Sequence, residues 1–215
     1  MASKFGFLVR TKDEEKWVGY CLQSIHDHFP DAEVAIVDND SNDDTLSIAR
    51  MFQPKIISIP RREYTPGLSL NYGFDALDSE YICCISAHCE IDSISDLLEA
   101  HLGDQDCFGV IGRQKPIYKG KRIKPVNAWQ NFARDSYIKN LQENRHTEDP
   151  FFHNAFSFIP KRMWEEENFC ETVSGKEDRR WAKVMKDKGY FSIYDPHTVC
   201  DHHWTAGCAT WKGMG

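Results

Sequence analysis

Three apolar segments in the first half of the chain each end in polar side chains. They are residues 5–13 (FGFLVRTKD), 34–45 (VAIVDNDSNDDT) and 80–90 (EYICCISAHCE). The second segment ends in a group of carboxylates that begins with Asp38, and the third ends in potential metal ligands that include His88. In an open parallel sheet, ligands bind outside the carboxyl ends of the strands. The pattern therefore predicts one shared site for a nucleotide and a cation.

The elements that must position this site alternate between strand and helix. Apolar residues recur at helical spacing over about 13–28, and Leu70, Phe74 and Leu77 lie on one face of another helix. Ser41 and Asp44 form a predicted capping box for a helix over about 43–52. The predicted strands cover about 5–9, 33–37, 55–59 and 81–85. This alternation predicts right-handed crossovers and an α/β fold with a mostly parallel central sheet flanked by helices.

The second half of the chain is less regular. Short strands are predicted at 107–111, 153–159, 191–194 and 198–202, with helices over 127–142 and 178–188, the latter ended by Gly189. We expect one domain over 1–215. Residues of about 1–112 would bind the nucleotide, and about 113–215 would form an irregular C-terminal part that selects the substrate.

The bulk composition narrows the class of protein. A net charge of -7 argues against a nucleic-acid partner. No apolar run approaches the roughly 20 residues of a membrane helix, and the N-terminus has no signal-peptide core. The eight cysteines include no Cys-x-x-Cys pair. These features predict a cytoplasmic protein without a transmembrane segment, and they leave its oligomeric state open.

The order of these motifs resembles the family 2 inverting glycosyltransferases. The resemblance covers about 4–90 well, including the run GLSLNYG at 67–73, and 150–204 loosely. Late in the chain, GKEDRRWA at 175–182 is similar to the Glu-Asp motif of that family. The resemblance implies a GT-A (Rossmann-like) fold. It also implies transfer of a sugar from a nucleotide-sugar donor, UDP-linked by expectation, to a glycan or other hydroxyl acceptor in glycan or polysaccharide biosynthesis.

The resemblance assigns the donor nucleotide to residues at the strand ends. Asp38 would accept hydrogen bonds from the base, as an ionised carboxylate can only accept. Asn71 would contact the base, ribose or diphosphate. An equally good interpretation is that Asn71 is simply a polar residue in the first turns of a helix. The complete set implied for nucleotide binding is Arg10, Thr11, Asp38, Asn39, Asn71 and Ser86.

The expected metal motif departs from the family pattern. Ser86-Ala87-His88 lies where Asp-x-Asp usually holds a cation against the donor diphosphate. Histidine suits Mn²⁺ better than Mg²⁺, which prefers oxygen ligands. Three interpretations remain open: His88 binds Mn²⁺, Glu90 or Asp92 supplies the missing carboxylate, or the enzyme depends less on metal than its relatives.

A late pair of histidines offers a second metal ligand. His202 and His203 are adjacent, so on a strand they point to opposite faces. The resemblance implies that one of them completes the cation shell. We expect His203 in that role, with His202 as the alternative. A zinc cluster is a further alternative, formed by His197, Cys200, His202 and Cys208.

The Glu-Asp motif supplies the candidate catalytic residues. By the resemblance, Asp178 is the base that takes the proton of the acceptor hydroxyl, and Glu177 orients it or binds the acceptor. Acidic residues in a first helical turn are also favoured by the helix dipole alone. Alternative functions are a nucleotide-binding protein without catalysis, a sugar-nucleotide pyrophosphorylase-like enzyme and a small zinc-stabilised module.

Overall fold

Ten strands of the described residues form one mixed sheet at the centre of the molecule. The computed structural model describes residues 3–118, 121–122, 136–142, 149–173 and 175–203. The path through the sheet is β3-β2-β1-β4-β9-β6-β10-β5, with β7 beside β6 and β8 beside β10. The strands are β1 Phe5–Thr11, β2 Glu33–Asp38, β3 Lys55–Ser58, β4 Tyr81–Ser86, β5 Cys89–Ser93, β6 Cys107–Tyr118, β7 Lys121–Arg122, β8 Ile138–Lys139, β9 Phe156–Pro160 and β10 Phe191–His203.

The predicted parallel core of the sheet is confirmed. Strand β1 pairs in parallel with β2 on one side and with β4 on the other. The register places Thr11 beside Asp38 and Arg10 beside Ser86. The polar ends of these three strands therefore meet at one edge, as the sequence pattern predicted.

Helices cover both faces of the sheet. They are α1 Val18–His28, α2 Thr45–Arg50, α3 Pro66–Ala76, α4 Leu98–Gly103, α5 Lys161–Glu166 and α6 Glu177–Asp187. One buried apolar cluster joins the sheet to α3, α5 and α6. A second cluster joins the other face to α1, α2 and α4. None of the helices in the described ranges is long and apolar enough to span a membrane.

Strands from the second half of the chain complete the same sheet. Strand β9 runs antiparallel to both β4 and β6, and β10 runs parallel to β6 and antiparallel to β5. The two strands predicted over 191–202 are one strand, β10, whose register shifts between Asp195 and Val199. Because β9 pairs directly with β4, the two halves of the chain share a core, and their functional division stays a prediction.

Two local predictions were wrong. The helix after β2 begins at Thr45, and its N-cap, Asp44, makes no side-chain capping bond. Asp43 instead accepts a hydrogen bond from the Thr45 N–H (3.0 Å). In the predicted helix over 127–142, residues 136–142 contain strand β8 instead, and 127–135 lie outside the described residues. The predicted end of α6 is confirmed, because Gly189 follows with a φ of 99°.

Candidate active site

An ion pair joins the end of β1 to the start of α6. The Arg10 Nη1 atom lies 3.3 Å from Glu177 Oε1, and the two side chains are 20% and 7% exposed. These residues are 167 positions apart in the chain. The structure thus brings a residue predicted for the nucleotide next to the predicted catalytic motif, at the edge where the parallel strands end.

Breaking this ion pair should destabilise the fold. Glu177→Gln leaves the Arg10 guanidinium largely buried without its carboxylate, and loss of one partner of a buried pair costs about 3 kcal/mol. Urea unfolding measures this as a lower free energy of unfolding. Glu63→Gln, which removes the exposed partner of Arg62, is the matched control and should leave stability unchanged. Equal stability of the two variants would contradict a structural role of the Arg10 pair.

Asp178 is partly buried and held by backbone N–H groups. Its Oδ1 accepts from the N–H of Arg179 (2.8 Å) and its Oδ2 from the N–H of Asn154 (3.3 Å). Burial raises the pKa of Asp178, although these hydrogen bonds and the charges of Arg10 and Arg179 oppose the shift. A carboxylate with a raised pKa accepts protons more readily, which suits a general base.

Asn154 is a site residue that the sequence analysis missed. Its side chain is 1% exposed, and neither polar atom of its amide has a hydrogen-bond partner within the part of the chain described. Burying an unpaired amide is costly, so such a group indicates a missing partner. No sequence pattern distinguished it, since the predicted strand over 153–159 included it, whereas β9 begins at Phe156.

Two buried oxygens at the ends of β1 and β2 also have no partner in the part of the chain that is described. Thr11 Oγ1 and Asn39 Oδ1 are buried and make no hydrogen bond to any described residue. The Asn39 N–H donates to the Thr11 carbonyl (3.0 Å), which holds the ends of β1 and β2 together. Both residues were predicted to bind the nucleotide, and their unpaired oxygens fit a polar ligand there.

Asp38 is 1% exposed and organises the loop that follows β2. Its carboxylate accepts hydrogen bonds from the Ser41 N–H (3.0 Å) and hydroxyl (2.5 Å). Ser41 therefore belongs to this loop and does not cap the following helix. Each carboxylate oxygen keeps a further acceptor position, so a contact of Asp38 with a base stays a prediction.

Asn71 connects α3 to the segment after α5. Its Oδ1 accepts from Trp164 Nε1 and from the Phe169 N–H, both at 3.0 Å. Its Nδ2 donates to the Phe169 carbonyl (2.9 Å) and to Glu171 Oε1 (2.8 Å). The amide thus uses its hydrogen-bonding capacity inside the protein. A nucleotide contact of Asn71 stays a prediction, and it would require one of these bonds to break.

Ser86 ends β4 beside Arg10. Its N–H donates to the Ala155 carbonyl (3.1 Å), and the Arg10 carbonyl accepts from the Ala87 N–H (3.2 Å). These bonds fix the backbone where the first residue of the expected Asp-x-Asp would lie. The partly buried Ser86 side chain can face a ligand at the sheet edge, and its nucleotide contact stays a prediction.

The imidazole rings of His88 and His202 are in direct contact. Their Nε2 atoms are 3.1 Å apart, with Glu14 Oε1 2.7 Å from His88 Nδ1 and Gln114 Oε1 2.7 Å from His202 Nδ1. Because each Nδ1 meets an acceptor oxygen, it carries the proton, and the Nε2 of a neutral ring presents a lone pair. Burial and the neighbouring His88 keep the pKa of His202 well below its usual value.

This arrangement fits a shared positive ligand. Two facing lone pairs repel unless a proton or a cation is bound between the rings. Oxygen acceptors behind each Nδ1 are also typical of histidines that bind metals through Nε2. Within the described ranges, however, no three potential ligand side chains come together around one point. The protein thus offers two nitrogen ligands at this place.

His203 lies on the opposite side of the strand and contacts other residues. Its ring stacks on Trp17 with centroids 4.0 Å apart, and its Nε2 lies 3.3 Å from Glu90 Oε2. The expectation that His203 faces His88 is therefore corrected in favour of His202. The adjacent positions point in opposite directions on β10, as a strand requires.

The other proposed metal ligands do not join His88. Glu90 pairs with His203, and Asp92 lies 2.8 Å from the Lys115 ammonium. The alternative zinc cluster gains no support from the described residues, and Cys208 lies outside them. The two carboxylates thus have cationic or imidazole partners of their own.

Comparisons with known proteins identify the family and the fold. Residues 7–167 match the model of "Glycosyl transferase family 2". No curated protein matched the sequence. Similar solved structures include S. aureus TarS 1–349 in complex with UDP-GlcNAc (TM-score 0.68, 16% identity, 95% of this chain and 59% of that one).

Two further structures are similar over most of this chain. The mannosyltransferase PcManGT from Pyrobaculum calidifontis, in complex with GDP-Man and Mn²⁺, has a TM-score of 0.68 at 19% identity over 99% of this chain and 60% of its own. GalNAc-T7 with UDP, GalNAc and Mn²⁺ has a TM-score of 0.74 at 15% identity over 96% and 45%. The chain therefore spans about half the length of these proteins. Its α/β sheet has their GT-A-like architecture, and the chain belongs to glycosyl transferase family 2.

Proposed function

We propose that this chain transfers a glycosyl group from a nucleoside diphosphate sugar to a hydroxyl acceptor, with inversion at the anomeric carbon. The observation that carries the proposal is the position of Asp178. The ion pair between Arg10 and Glu177 holds the start of α6 against the end of β1. A candidate base therefore lies beside the sheet edge that the predicted nucleotide residues share.

The donor nucleotide would lie across the ends of β1 and β2. The buried oxygens of Thr11 and Asn39 have no partner among the described residues, and ribose or base groups would supply the missing donors. Asp38 would accept a hydrogen bond from the imide N–H of uracil, the base expected from the resemblance. The Asn154 amide, which has no partner among the residues that the structure describes, lies next to Asp178 and would hydrogen-bond hydroxyl groups of the transferred sugar.

The reaction is a single displacement. Asp178 accepts the proton of the acceptor hydroxyl while that oxygen attacks the anomeric carbon from the face opposite the nucleotide. The bond between the anomeric carbon and the diphosphate oxygen breaks, and the diphosphate leaves with the electron pair. Glu177 stays ion-paired to Arg10 and thereby orients the first turn of α6.

His88 and His202 would hold a divalent cation through their Nε2 atoms. Imidazole ligands favour Mn²⁺ over Mg²⁺, and two similar structures contain Mn²⁺. A cation bound there would neutralise charge on the departing diphosphate. Glu14 and Gln114 keep the protons of both rings on Nδ1, so that the two Nε2 atoms face each other with their lone pairs.

The biological setting belongs to the same proposal. We propose a role in glycan or polysaccharide biosynthesis, with the acceptor selected by the second half of the chain. A cytoplasmic location is supported by the cysteines of the described ranges, which are all free thiols, as is typical of a reducing compartment.

Calorimetric titration of UDP and GDP tests the donor site. We expect UDP to bind more tightly than GDP, and to bind more tightly with Mn²⁺ than without it. Binding of GDP alone would replace uridine with guanosine in the proposal. Failure of both nucleotides to bind, with and without Mn²⁺, would contradict the proposed donor site.

The raised pKa of Asp178 predicts the pH dependence of transfer. Only the ionised carboxylate can accept a proton, so activity should fall as the pH drops through this pKa. Because burial raises the pKa above its ordinary value of 3.8, the acidic limb of kcat should lie at higher pH than for an exposed aspartate. A pH profile of kcat measures this. A flat profile down to pH 4 would contradict the role of Asp178.

A further inference from the structure

A cavity of about 400 Å³ opens next to the start of α6. Its α6 side carries four basic residues, Lys176, Arg179, Arg180 and Lys183. The opposite wall comes from residues 149–151, which include the apolar ring of Phe151. Its size falls within the range of small-molecule sites, roughly 300–1,000 Å³.

The cavity carries a surplus of positive charge. Lys183 lies 3.4 Å from Asp149 and 3.2 Å from Asp187, so that its charge is compensated. Lys176 and Arg180 form no ion pair with any residue that the structure describes. The chain as a whole has a net charge of -7. A local excess of cations on an acidic protein indicates an anionic partner at that place.

The residues that line the cavity include neighbours of the candidate base in the chain. Lys176 and Arg179 lie two positions before and one position after Asp178, and the Arg179 N–H donates to the Asp178 carboxylate (2.8 Å). The Arg179 guanidinium lies 5.3 Å from the centre of the Phe151 ring, which orients it across the cavity. Lys176 has a φ of 62°, an uncommon conformation for lysine that places it at the turn into the helix.

We propose that this cavity is the acceptor subsite and that it binds an anionic group, a phosphate or a carboxylate, carried by the acceptor. Naming the ligand as the acceptor rests on the proposed function. The base must contact the attacking hydroxyl, so the acceptor must reach Asp178, whose neighbour in the chain, Arg179, lines the cavity. Guanidinium groups form paired hydrogen bonds with both phosphate and carboxylate oxygens. Phe151 provides an apolar wall for the carbon skeleton of the same molecule.

Calorimetry with three small sugars tests the charge requirement. Glucose 6-phosphate, glucuronate and glucose are titrated into the full chain, once alone and once saturated with UDP. We expect at least one of the two anionic sugars to bind about tenfold more tightly than glucose. The stronger of the two identifies phosphate or carboxylate as the preferred group. Binding of none of the three, or equal binding of all, overturns the proposal.

Matched variants test the location. Arg180→Gln and Lys176→Gln should each weaken binding of the anionic sugar by about tenfold. Arg50→Gln is the control, because Arg50 is an exposed cation of α2 on the opposite face of the sheet. If Arg50→Gln weakens binding as much as Arg180→Gln, the loss reflects the overall charge of the protein, and the cavity is not the binding site. If UDP does not bind but the anionic sugar still requires Arg180, the proposed function fails while the anion site stands.

Discussion

Asp178→Asn should lower kcat for glycosyl transfer by roughly 10³-fold, because a general base accelerates a reaction by a factor of about 10² to 10⁴. The asparagine keeps one oxygen, which can accept the shorter bond from the Arg179 N–H (2.8 Å), and loses the longer bond from the Asn154 N–H (3.3 Å), so the start of α6 should still fold. Donor binding should therefore remain within about threefold of the wild type, since the lost interaction acts only in the transition state. Steady-state release of UDP and calorimetric titration of UDP measure the two quantities.

The control for this variant lies on the same helix. Asp187→Asn removes an exposed carboxylate from the last turn of α6, where it pairs with Lys183. It should retain nearly full activity. Asp178→Asn with activity close to that of Asp187→Asn would exclude Asp178 as the base. If UDP binding is lost together with activity, Asp178 is instead a residue that binds the nucleotide-sugar donor.

Replacing His88 or His202 with Ala should remove the effect of Mn²⁺ on UDP binding. Each variant takes away one of the two nitrogens that face each other at 3.1 Å. We expect the Mn²⁺-dependent part of the affinity to fall by roughly 100-fold, at the upper end of losses measured for residues that support a bound metal. Calorimetric titration of UDP with and without Mn²⁺ measures the difference.

His203→Ala is the matched control for the histidine pair. The residue is adjacent to His202, is equally an imidazole, and stacks on Trp17 instead of facing His88. It should keep the dependence on Mn²⁺. If His203→Ala abolishes that dependence while His202→Ala keeps it, the assignment of the two rings is reversed. Equal losses with and without Mn²⁺ in His88→Ala would make His88 a structural residue.

The first half of the fold could be predicted from the sequence because its signals are local. Apolar runs of strand length alternate with helical stripes, and each run ends in polar groups. Parallel pairing then brings those ends together, as the register of Arg10 with Ser86 and of Thr11 with Asp38 confirms. The position of the site at one sheet edge follows from topology alone.

The direction of individual side chains could not be predicted in the same way. Whether His202 or His203 faces His88 depends on the register of β10 against β5 and β6, which shifts near Val199. Asn71 bonds to Glu171, 100 positions away, and Arg10 pairs with Glu177, 167 positions away. The burial of the Asn154 amide, without a partner in the described part of the chain, can be seen only in the folded structure.

Proton NMR of the first sugar product tests the proposed chemistry most directly. The purified chain with Mn²⁺ is incubated with UDP- and GDP-sugars of α configuration, water serves as the acceptor, and spectra are recorded before the product equilibrates. We predict that one donor releases its nucleotide and yields the β-anomer first, and that Asp178→Asn abolishes this release. Initial formation of the α-anomer would contradict inversion. Release of no nucleotide from any donor would contradict glycosyl transfer by this chain.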